Sequence, residues 1–381
     1  MPCHTIVHRQ DWFLEERYRA RAGKEEPGFL DRSFELHFNE RPFLNHFPYL
    51  FITRTTKERM RQQSNFSVLC RGHILPREVR DKDGVLRFLE AVEQFERIIG
   101  DSGLIRLERL TTEEITGKGK EAGLVEKYFS LSQEDTTTLE DIRLGGSEMR
   151  VGDKRLSVHT LSDADDLPAA VRTDGRRYEK FSTDRSDCRL SFAAPVGLLL
   201  PYNHIYNQYV FIDDPAETLR HFEKTVRNMR SLSRYSRANE INRQWAEEYL
   251  NEAHSFGLVP VRCHCNVMAW SEDRERLRNI RNDTGSALAQ MGCKPRHNTV
   301  DAPTLYWAAI PGGEGDFPAE ESFHTFIEQA ACLFIGETNY ASSLSPFGIK
   351  MADRLGGRPI HLDISDEPMR RGITTNRNKF I

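Results

Sequence analysis

Apolar residues follow helical spacing in some parts of this chain and strand-like runs in others, in an irregular order. An amphipathic helix is predicted from about Asp83 to Gly100, because its apolar residues recur every three or four positions. Strands are predicted over Leu190–Leu200 and Ile205–Ile212. A helix should follow, with Asp214 as its N-cap and Pro215 at its first position. This mixture predicts an α+β fold with mixed or antiparallel sheets and packed helices.

The second half of the chain continues the same alternation. A helix is predicted over Arg237–Phe256, a strand over Val259–Trp270, and a helix from a Ser271 cap to Gly292. A last helix is predicted over Glu320–Phe334. Strand, helix, strand and helix in this order indicate a ferredoxin-like or split β-α-β layer.

Smaller elements complete the pattern. A short helix is predicted at 29–39, a strand over Tyr49–Thr53 and another strand over Leu104–Leu110. A hairpin should turn at Gly356, and a final strand is expected over Gly372–Ile381. That strand is still apolar at its last residues, so we expect it to lead into a further domain.

Four ranges are predicted from these elements. They are an N-terminal α+β domain at 1–160, a connection at 161–180, a second α+β domain at 181–340, and a hairpin and strand at 341–381. The connection is polar, first acidic and then basic, which is typical of a boundary.

The composition of the chain limits the classes of protein to which it can belong. Charged residues make up 29% of the 381 residues and the net charge is −4, so overall charge gives no argument for nucleic-acid binding. The longest apolar run, Phe192–Leu200, is far shorter than the roughly 20 residues of a membrane helix. No secretory signal is visible. Seven dispersed cysteines indicate a reducing compartment.

Two glycine-rich stretches resemble phosphate loops only superficially. The stretch 117–120 alternates glycine and lysine but lacks the Walker A spacing and its Ser or Thr, and the chain contains no Walker A motif. The stretch 312–316 is acidic and would repel phosphate, so a connecting loop is the better interpretation.

A zinc site and a hydrolase site were also considered. Cys263, His264, Cys265, Cys293 and His297 could supply zinc ligands, but alternate residues of a strand point to opposite faces. We therefore interpret the cysteines as small buried side chains and predict no metal site. Four acidic residues lack the nucleophile and geometry of a hydrolase, so no catalytic residue is predicted. These are Asp184, Asp187, Asp213 and Asp214.

Basic residues recur along the helix that follows Asp214. This set, called the basic row below, consists of Arg220, Lys224, Arg227, Arg230 and Arg234. Their spacing places them on one face, opposite the apolar face that contains Phe222 and Val226. The row could contact DNA phosphates or an acidic protein partner, but a solvated helix face is the interpretation we favour.

Several stretches resemble a known protein family. They are Gln10–Tyr18, Phe38–Pro42, Thr183–Phe192, His204–Tyr209, Lys294–Thr299, Ser345–Lys350, Arg354–Ile364 and Asn376–Ile381. In these stretches, and over essentially its whole length, the chain is similar to TraG-type conjugation ATPases of the type IV secretion ATPase family, with TrbE and CagE. The resemblance covers the N-terminal, non-motor part, slightly shortened at its start, without a complete P-loop NTPase domain.

The resemblance implies an assembly and coupling region that docks the motor to the membrane channel. In the family the motor binds ATP and Mg²⁺, whereas this chain is not expected to hold a cofactor or to hydrolyse ATP alone. The implied partners are inner-membrane components of a type IV secretion channel, neighbouring subunits and the motor domain. The implied location is the cytoplasmic face of the bacterial inner membrane. Asn376, Arg377 and Asn378 would lie near nucleotide only with a motor attached.

Two other classes of function remain as alternatives. The basic row would suit a nucleic-acid-binding accessory protein of the conjugation machinery, with DNA as its partner. The cysteine and histidine set would suit an independent metal-dependent enzyme, which the ligand spacing disfavours.

Overall fold

The computed structural model describes residues 3–18, 28–41, 43–56, 81–119, 121–132, 140–144, 148–171, 174–345 and 348–376. Strands β1 to β7 are Cys3–Glu16, Phe43–Thr56, Ile142–Arg143, Met149–Val151, Lys154–Leu161, Arg176–Arg177 and Arg189–Leu190. Strands β8 to β13 are His204–Ile212, Pro260–Ser271, Arg296–Asn298, Phe323–Phe326, Ile349–Ala352 and Pro359–Leu362.

The α-helices alternate with these strands along the chain. Helices α1 to α5 are Phe29–Glu40, Lys82–Asp101, Thr112–Thr116, Leu124–Ser130 and Pro215–Leu232. Helices α6 to α10 are Arg237–Phe256, Arg274–Gln290, Ala302–Ala308, Ile327–Ala331 and Asp366–Arg370. This mixture confirms the predicted α+β class. No helix in these described ranges is both long and apolar enough to span a membrane.

One large sheet organises the described chain. Nine strands belong to it, in the order β2-β1-β8-β9-β5-β4-β3, with β10 beside β5 and β11 beside β9. Each strand pair within it is antiparallel. The sheet joins β1 and β2, from the predicted range 1–160, to β8 and β9, from the range 181–340.

Strand β1 lies inside the sheet and is buried on both faces. Its alternate residues enter two separate cores, because successive side chains of a strand point to opposite faces. Trp12 packs in the core that α4 and α8 cover, with Tyr128 and Tyr306. Phe13 packs in the opposite core, with Leu161 and Ala287.

The second half of the sheet contains a split β-α-β unit, although its second strand, β10, is not one of the predicted strands. Strands β9 and β10 both pair antiparallel with β5, on its two edges, and α7 connects them. The connection between β8 and β9 is different. These strands are direct antiparallel neighbours, and the helical hairpin α5–α6 joins them.

Several predicted elements were wrong. The predicted strand over Leu190–Leu200 is mostly a set of tight turns around a 3₁₀ helix at Ala194–Val196, because Pro195 lacks a backbone donor for a sheet. The predicted strand over Leu104–Leu110 has no regular structure.

The predicted helix over Glu320–Phe334 is divided. It contains a 3₁₀ turn, then β11, which pairs with β9, and only then the short helix α9. Asp273, and not Ser271, caps α7, since its side chain accepts hydrogen bonds from the backbone N–H groups of Glu275 and Arg276. Of the predicted final strand, 372–376 form turns and irregular chain, and 377–381 lie outside the described residues.

Candidate functional site

The C-terminal hairpin β12–β13 is a compact element with a side-chain-stabilised turn. Asp353 N–H donates to the Arg358 carbonyl at 2.7 Å across the turn. The Asp353 carboxylate accepts from the N–H groups of Leu355 and Gly356 at 3.2 and 3.0 Å. The predicted turn at Gly356 is therefore confirmed, with Asp353 as the residue that fixes it.

Three cations fasten this hairpin to distant parts of the chain. They are Lys350, Arg354 and Arg358, called the anchor cations below. Lys350 forms an ion pair with Asp31 of α1 and lies 5.2 Å from the Phe34 ring centroid. Arg354 lies 4.8 Å from the Phe181 ring centroid. Arg358 donates to the Tyr340 carbonyl at 3.1 Å.

The anchor cations differ in their surroundings. Burial lowers the pKa of Arg358, whereas Glu16 and Asp353 act to raise it. Lys350 is partly shielded by α1, and a cation that is partly desolvated interacts more strongly with an aromatic ring than one in water. Charge-assisted contacts thus hold the hairpin, in addition to the buried side chain of Ile360.

The segment that precedes the hairpin runs along the end of the sheet. Asn339 donates to the Asn45 side-chain oxygen and to the His46 carbonyl, at 2.7 and 2.6 Å, which ties it to β2. Ser343 N–H donates to the His361 carbonyl of β13 at 2.7 Å. These bonds connect the hairpin to the edge of the large sheet.

The hairpin and its neighbours also present apolar side chains to solvent. These are Leu344, Ile349, Met351, Ile364 and Ile373, with Leu344 exposed over 93% of its surface. Apolar residues gathered around one anchored hairpin are typical of a surface that contacts another protein or domain.

Of the three residues expected near nucleotide, the structure places one. Asn376 is exposed at the end of the described chain, beyond α10. Arg377 and Asn378 lie outside the described residues, so their placement stays a prediction.

The basic row lies where the sequence predicts it. Its residues are exposed along α5 and just beyond it, on the hairpin α5–α6. Arg230 reaches Glu247 of α6 at 3.7 Å. In the part of the chain that the structure describes, the other four residues of the row form no ion pair.

The base of this helical hairpin is firmly attached to the sheet. The Tyr249 ring stacks on Phe326 of β11 at 4.6 Å and on Phe222 at 4.4 Å. Asp213, at the end of β8, accepts from Arg262 at 2.7 Å and pairs with His4. Burial raises the pKa of Asp213, but these hydrogen bonds outweigh burial and hold it well below its usual range.

The other sequence candidates have structural explanations. Lys118 pairs with Glu113 at 2.8 Å in a tight turn, and Lys120 lies outside the described residues. Cys263, Cys265 and Cys293 are buried, and burial raises the pKa of the Cys293 thiol to about 12. Nowhere in the described ranges do three His, Cys, Asp or Glu side chains gather as metal ligands.

The four acidic candidates also have local roles or lie in exposed turns. Asp214 caps α5 by accepting from Ala216 N–H at 3.0 Å, and Asp213 holds the base of the hairpin. Asp187 pairs with Arg189 at 3.2 Å, and Asp184 is exposed in a turn.

Sequence reasoning missed a buried polar network at the centre of the sheet. Its members are His8, Gln10, Thr53, Asn207, His264, Asn266 and Glu314. The acidic loop at 312–316 enters it through Glu314, which is fully buried. His8 contacts Glu314 Oε1 through Nδ1 at 3.1 Å and Asn207 Oδ1 through Nε2 at 3.0 Å.

Comparison with known proteins adds one finding about the hairpin region. The family model of the TraG P-loop domain matches residues 348–381, which include β12, β13 and α10. This match supports a TraG-type conjugation protein. A search of curated proteins finds no match to the chain. The TraG-matching segment is therefore the one that the anchor cations hold.

Proposed function

We propose that this TraG-type chain is the assembly and coupling region of a conjugative-transfer ATPase. It docks a P-loop motor to inner-membrane components of a type IV secretion channel, at the cytoplasmic face of that membrane, and associates with neighbouring subunits. ATP and Mg²⁺ belong to the attached motor, since the chain contains no Walker A motif. Asn376, Arg377 and Asn378 would then lie near the nucleotide that the attached motor binds.

One observation carries this proposal. The segment that matches the TraG P-loop domain forms a hairpin whose three cations contact α1, Phe181 and the Tyr340 carbonyl. A hairpin fixed at three places transmits displacement, because none of these contacts can shift independently of the others. Movement of an attached motor would therefore reach α1 and the edge of the sheet.

The first test removes two of the anchor cations. We expect Lys350→Ala with Arg354→Ala to release the hairpin, because the ion pair and the two cation–π contacts together contribute about 1–3 kcal/mol. Backbone hydrogen exchange over 348–362 should then become about tenfold to a hundredfold faster. Transfer of the conjugative element from donor cells that carry this variant should fall, since the motor and the rest of the protein are uncoupled.

Arg371→Ala is the matched control. Among the described residues, Arg371 pairs with Glu367 alone, one turn away in α10 at 2.5 Å, so its loss should change neither exchange of the hairpin nor transfer. Faster exchange in the double variant with normal transfer would contradict the coupling role.

A second candidate function is a nucleic-acid-binding accessory protein of the conjugation machinery. It is favoured by the exposure of the basic row and by its lack of ion pairs, Arg230 apart, within the described residues. Such a row can contact phosphates, with salt-dependent binding.

A mobility-shift assay separates the two functions. The coupling proposal predicts no shift of single- or double-stranded DNA by the purified chain at low salt. A shift that disappears in Arg220→Gln with Lys224→Gln and Arg227→Gln would establish the alternative. Lys82→Gln with Arg87→Gln and Arg97→Gln removes three exposed cations from α2 and provides the control.

A further inference from the structure

Helix α2 is amphipathic, yet its apolar face is left partly exposed, with none of its residues buried, among the described residues. That face consists of Val85, Phe88, Leu89, Val92, Phe95 and Ile99. None of its residues is buried, although every other described α-helix of more than eight residues contains at least one that is. A 20-residue helix is about 30 Å long, long enough to fill a groove on a partner.

The charges of α2 indicate what kind of partner it suits. Five carboxylates and three cations give the helix a net charge of −2. Arg109 contacts Glu96 at 2.6 Å and Glu93 at 3.9 Å, while Glu90 forms no ion pair within the described ranges. An acidic helix is repelled by anionic lipid headgroups, so a basic protein surface suits α2 better than a membrane.

The far end of the helical hairpin α5–α6 has the complementary composition. This part, residues 232–245, is called the hairpin tip below. It exposes Leu232, Tyr235, Ile241 and Trp245. A surface depression of about 510 Å³ at the tip is lined by Arg234, Arg237 and Ile241, among others. The basic row runs along α5 up to it, so exposed apolar groups lie beside exposed positive charge.

We propose that α2 of one copy docks on the hairpin tip and basic row of a second copy of this chain. The apolar face of α2 covers Ile241 and Trp245, and the carboxylates of α2 approach the basic row. Charge complementarity selects this occupant, because within the described residues of one chain Glu90 of the acidic helix and four of the five residues of the basic row form no ion pair. The inference deepens the self-association contained in the proposed function by naming its two surfaces.

Sedimentation of the purified chain over a concentration series tests the contact. We expect concentration-dependent self-association that weakens with salt. Arg227→Glu with Arg230→Glu, or Glu90→Arg with Glu93→Arg, should each weaken it at least about tenfold, which corresponds to about 1.4 kcal/mol. Combining all four substitutions should restore the affinity to within about threefold, because the charges are then exchanged.

A separate variant tests the apolar part of the contact between α2 and the hairpin tip. Leu89→Asp should abolish association while the circular dichroism and the melting temperature stay unchanged, because Leu89 is half exposed and supports no core. Lys350→Ala with Arg354→Ala should leave association intact, so a failure of the coupling role and a failure of this contact can be told apart.

Three outcomes would overturn the contact. They are a monomer up to about 100 µM, association that is unaffected by either charge reversal, and reversals that weaken association without rescue in the combined variant. If α2 binds anionic lipid vesicles and Leu89→Asp abolishes that binding, the partner of α2 is a membrane and not a second copy of the chain.

Discussion

Glu314→Ala is expected to lower the free energy of unfolding by about 3–5 kcal/mol, because three polar contacts to a buried carboxylate are lost together. Glu314 Oε2 accepts from Thr53 at 2.7 Å, and Oε1 contacts His8 and the Gly312 N–H. The alanine removes the acceptor of Thr53 and of the Gly312 N–H and leaves the fully buried His8 ring without this partner. Urea unfolding at pH 7 measures the loss, as a lower midpoint at unchanged slope.

The size of this effect follows from the directions of the hydrogen bonds around His8. Asn207 donates to Asn266 Oδ1 at 2.9 Å, so its own oxygen faces His8 and Gln10. Both ring nitrogens of His8 therefore face oxygen atoms, one of Asn207 and one of the Glu314 carboxylate. Removing the carboxylate would leave the buried His8 Nδ1 without its partner.

Two further variants show whether the loss of stability comes from the Glu314 carboxylate. Glu314→Gln keeps the shape and one acceptor, so it should cost only about 1–3 kcal/mol. Glu320→Ala, at an exposed position in the same region, should stay within about 0.5 kcal/mol of the parent. Equal stability of Glu314→Ala and Glu320→Ala would show that the network adds nothing to the fold.

Elements with strong local signals could be predicted from the sequence. Helix α2 was predicted to within a residue or two, because its periodicity is long and Gly100 lies near its end. Asp214 and Pro215 correctly marked the start of α5, and Gly257 ends α6 in the left-handed conformation that glycine favours. These signals are local, so they do not depend on what the element contacts.

Elements that depend on distant partners could not be predicted in this way. The sequence pattern around β11 predicts a helix, yet β11 is a strand that pairs with β9, about sixty residues earlier in the chain. β1 lies inside the sheet, between β2 and β8, and its own sequence does not show which strands it pairs with. Pairing over such distances is decided by the tertiary fold and overrides local propensity.

The candidate functional site shows the same difference between local patterns, which the sequence reveals, and long-range contacts, which it does not. The turn at Gly356 and the basic row are local patterns, and both were found. The contacts of Lys350 with Asp31 and of Arg354 with Phe181 join positions more than 170 residues apart, so no spacing rule could reveal them. His8 and Glu314 are separated by 306 positions for the same reason.

The protein is also expected to lose stability steeply as the pH falls from 7 to 5. Burial lowers the pKa of His159 and His204 to about 4, and that of His264 to about 3. Each histidine should contribute about 2 kcal/mol to the loss between pH 7 and 5, and roughly 6 kcal/mol is expected for the three. Urea midpoints at pH 7, 6 and 5 measure the effect.

The direction of this stability change follows from which state, folded or unfolded, binds more protons. The folded pKa values lie below the unfolded value near 6.5, so between pH 6.5 and 4 the unfolded chain takes up protons that the folded chain does not. The stabilisation is complete above pH 6.5 and is lost progressively below it. Burial raises the pKa of Glu321, which opposes this trend, but one carboxyl offsets at most about one histidine.

The contacts of His264 explain why it stays neutral in the fold. Its Nδ1 donates to the Glu321 carbonyl at 2.5 Å, and its Nε2 accepts from the Asn266 amide at 3.0 Å. Protonation would place two N–H donors against each other inside a dry core.

His264→Asn keeps a donor toward the Glu321 carbonyl but removes the titrating ring. Whatever its stability at pH 7, this variant should lose about 2 kcal/mol less than the parent between pH 7 and 5. His254→Gln, at an exposed position near the end of α6, should follow the parent curve. If His264→Asn keeps the full pH dependence of stability, protonation of the buried histidines is not its cause. Removing one histidine whose pKa is lowered by folding must otherwise reduce that dependence.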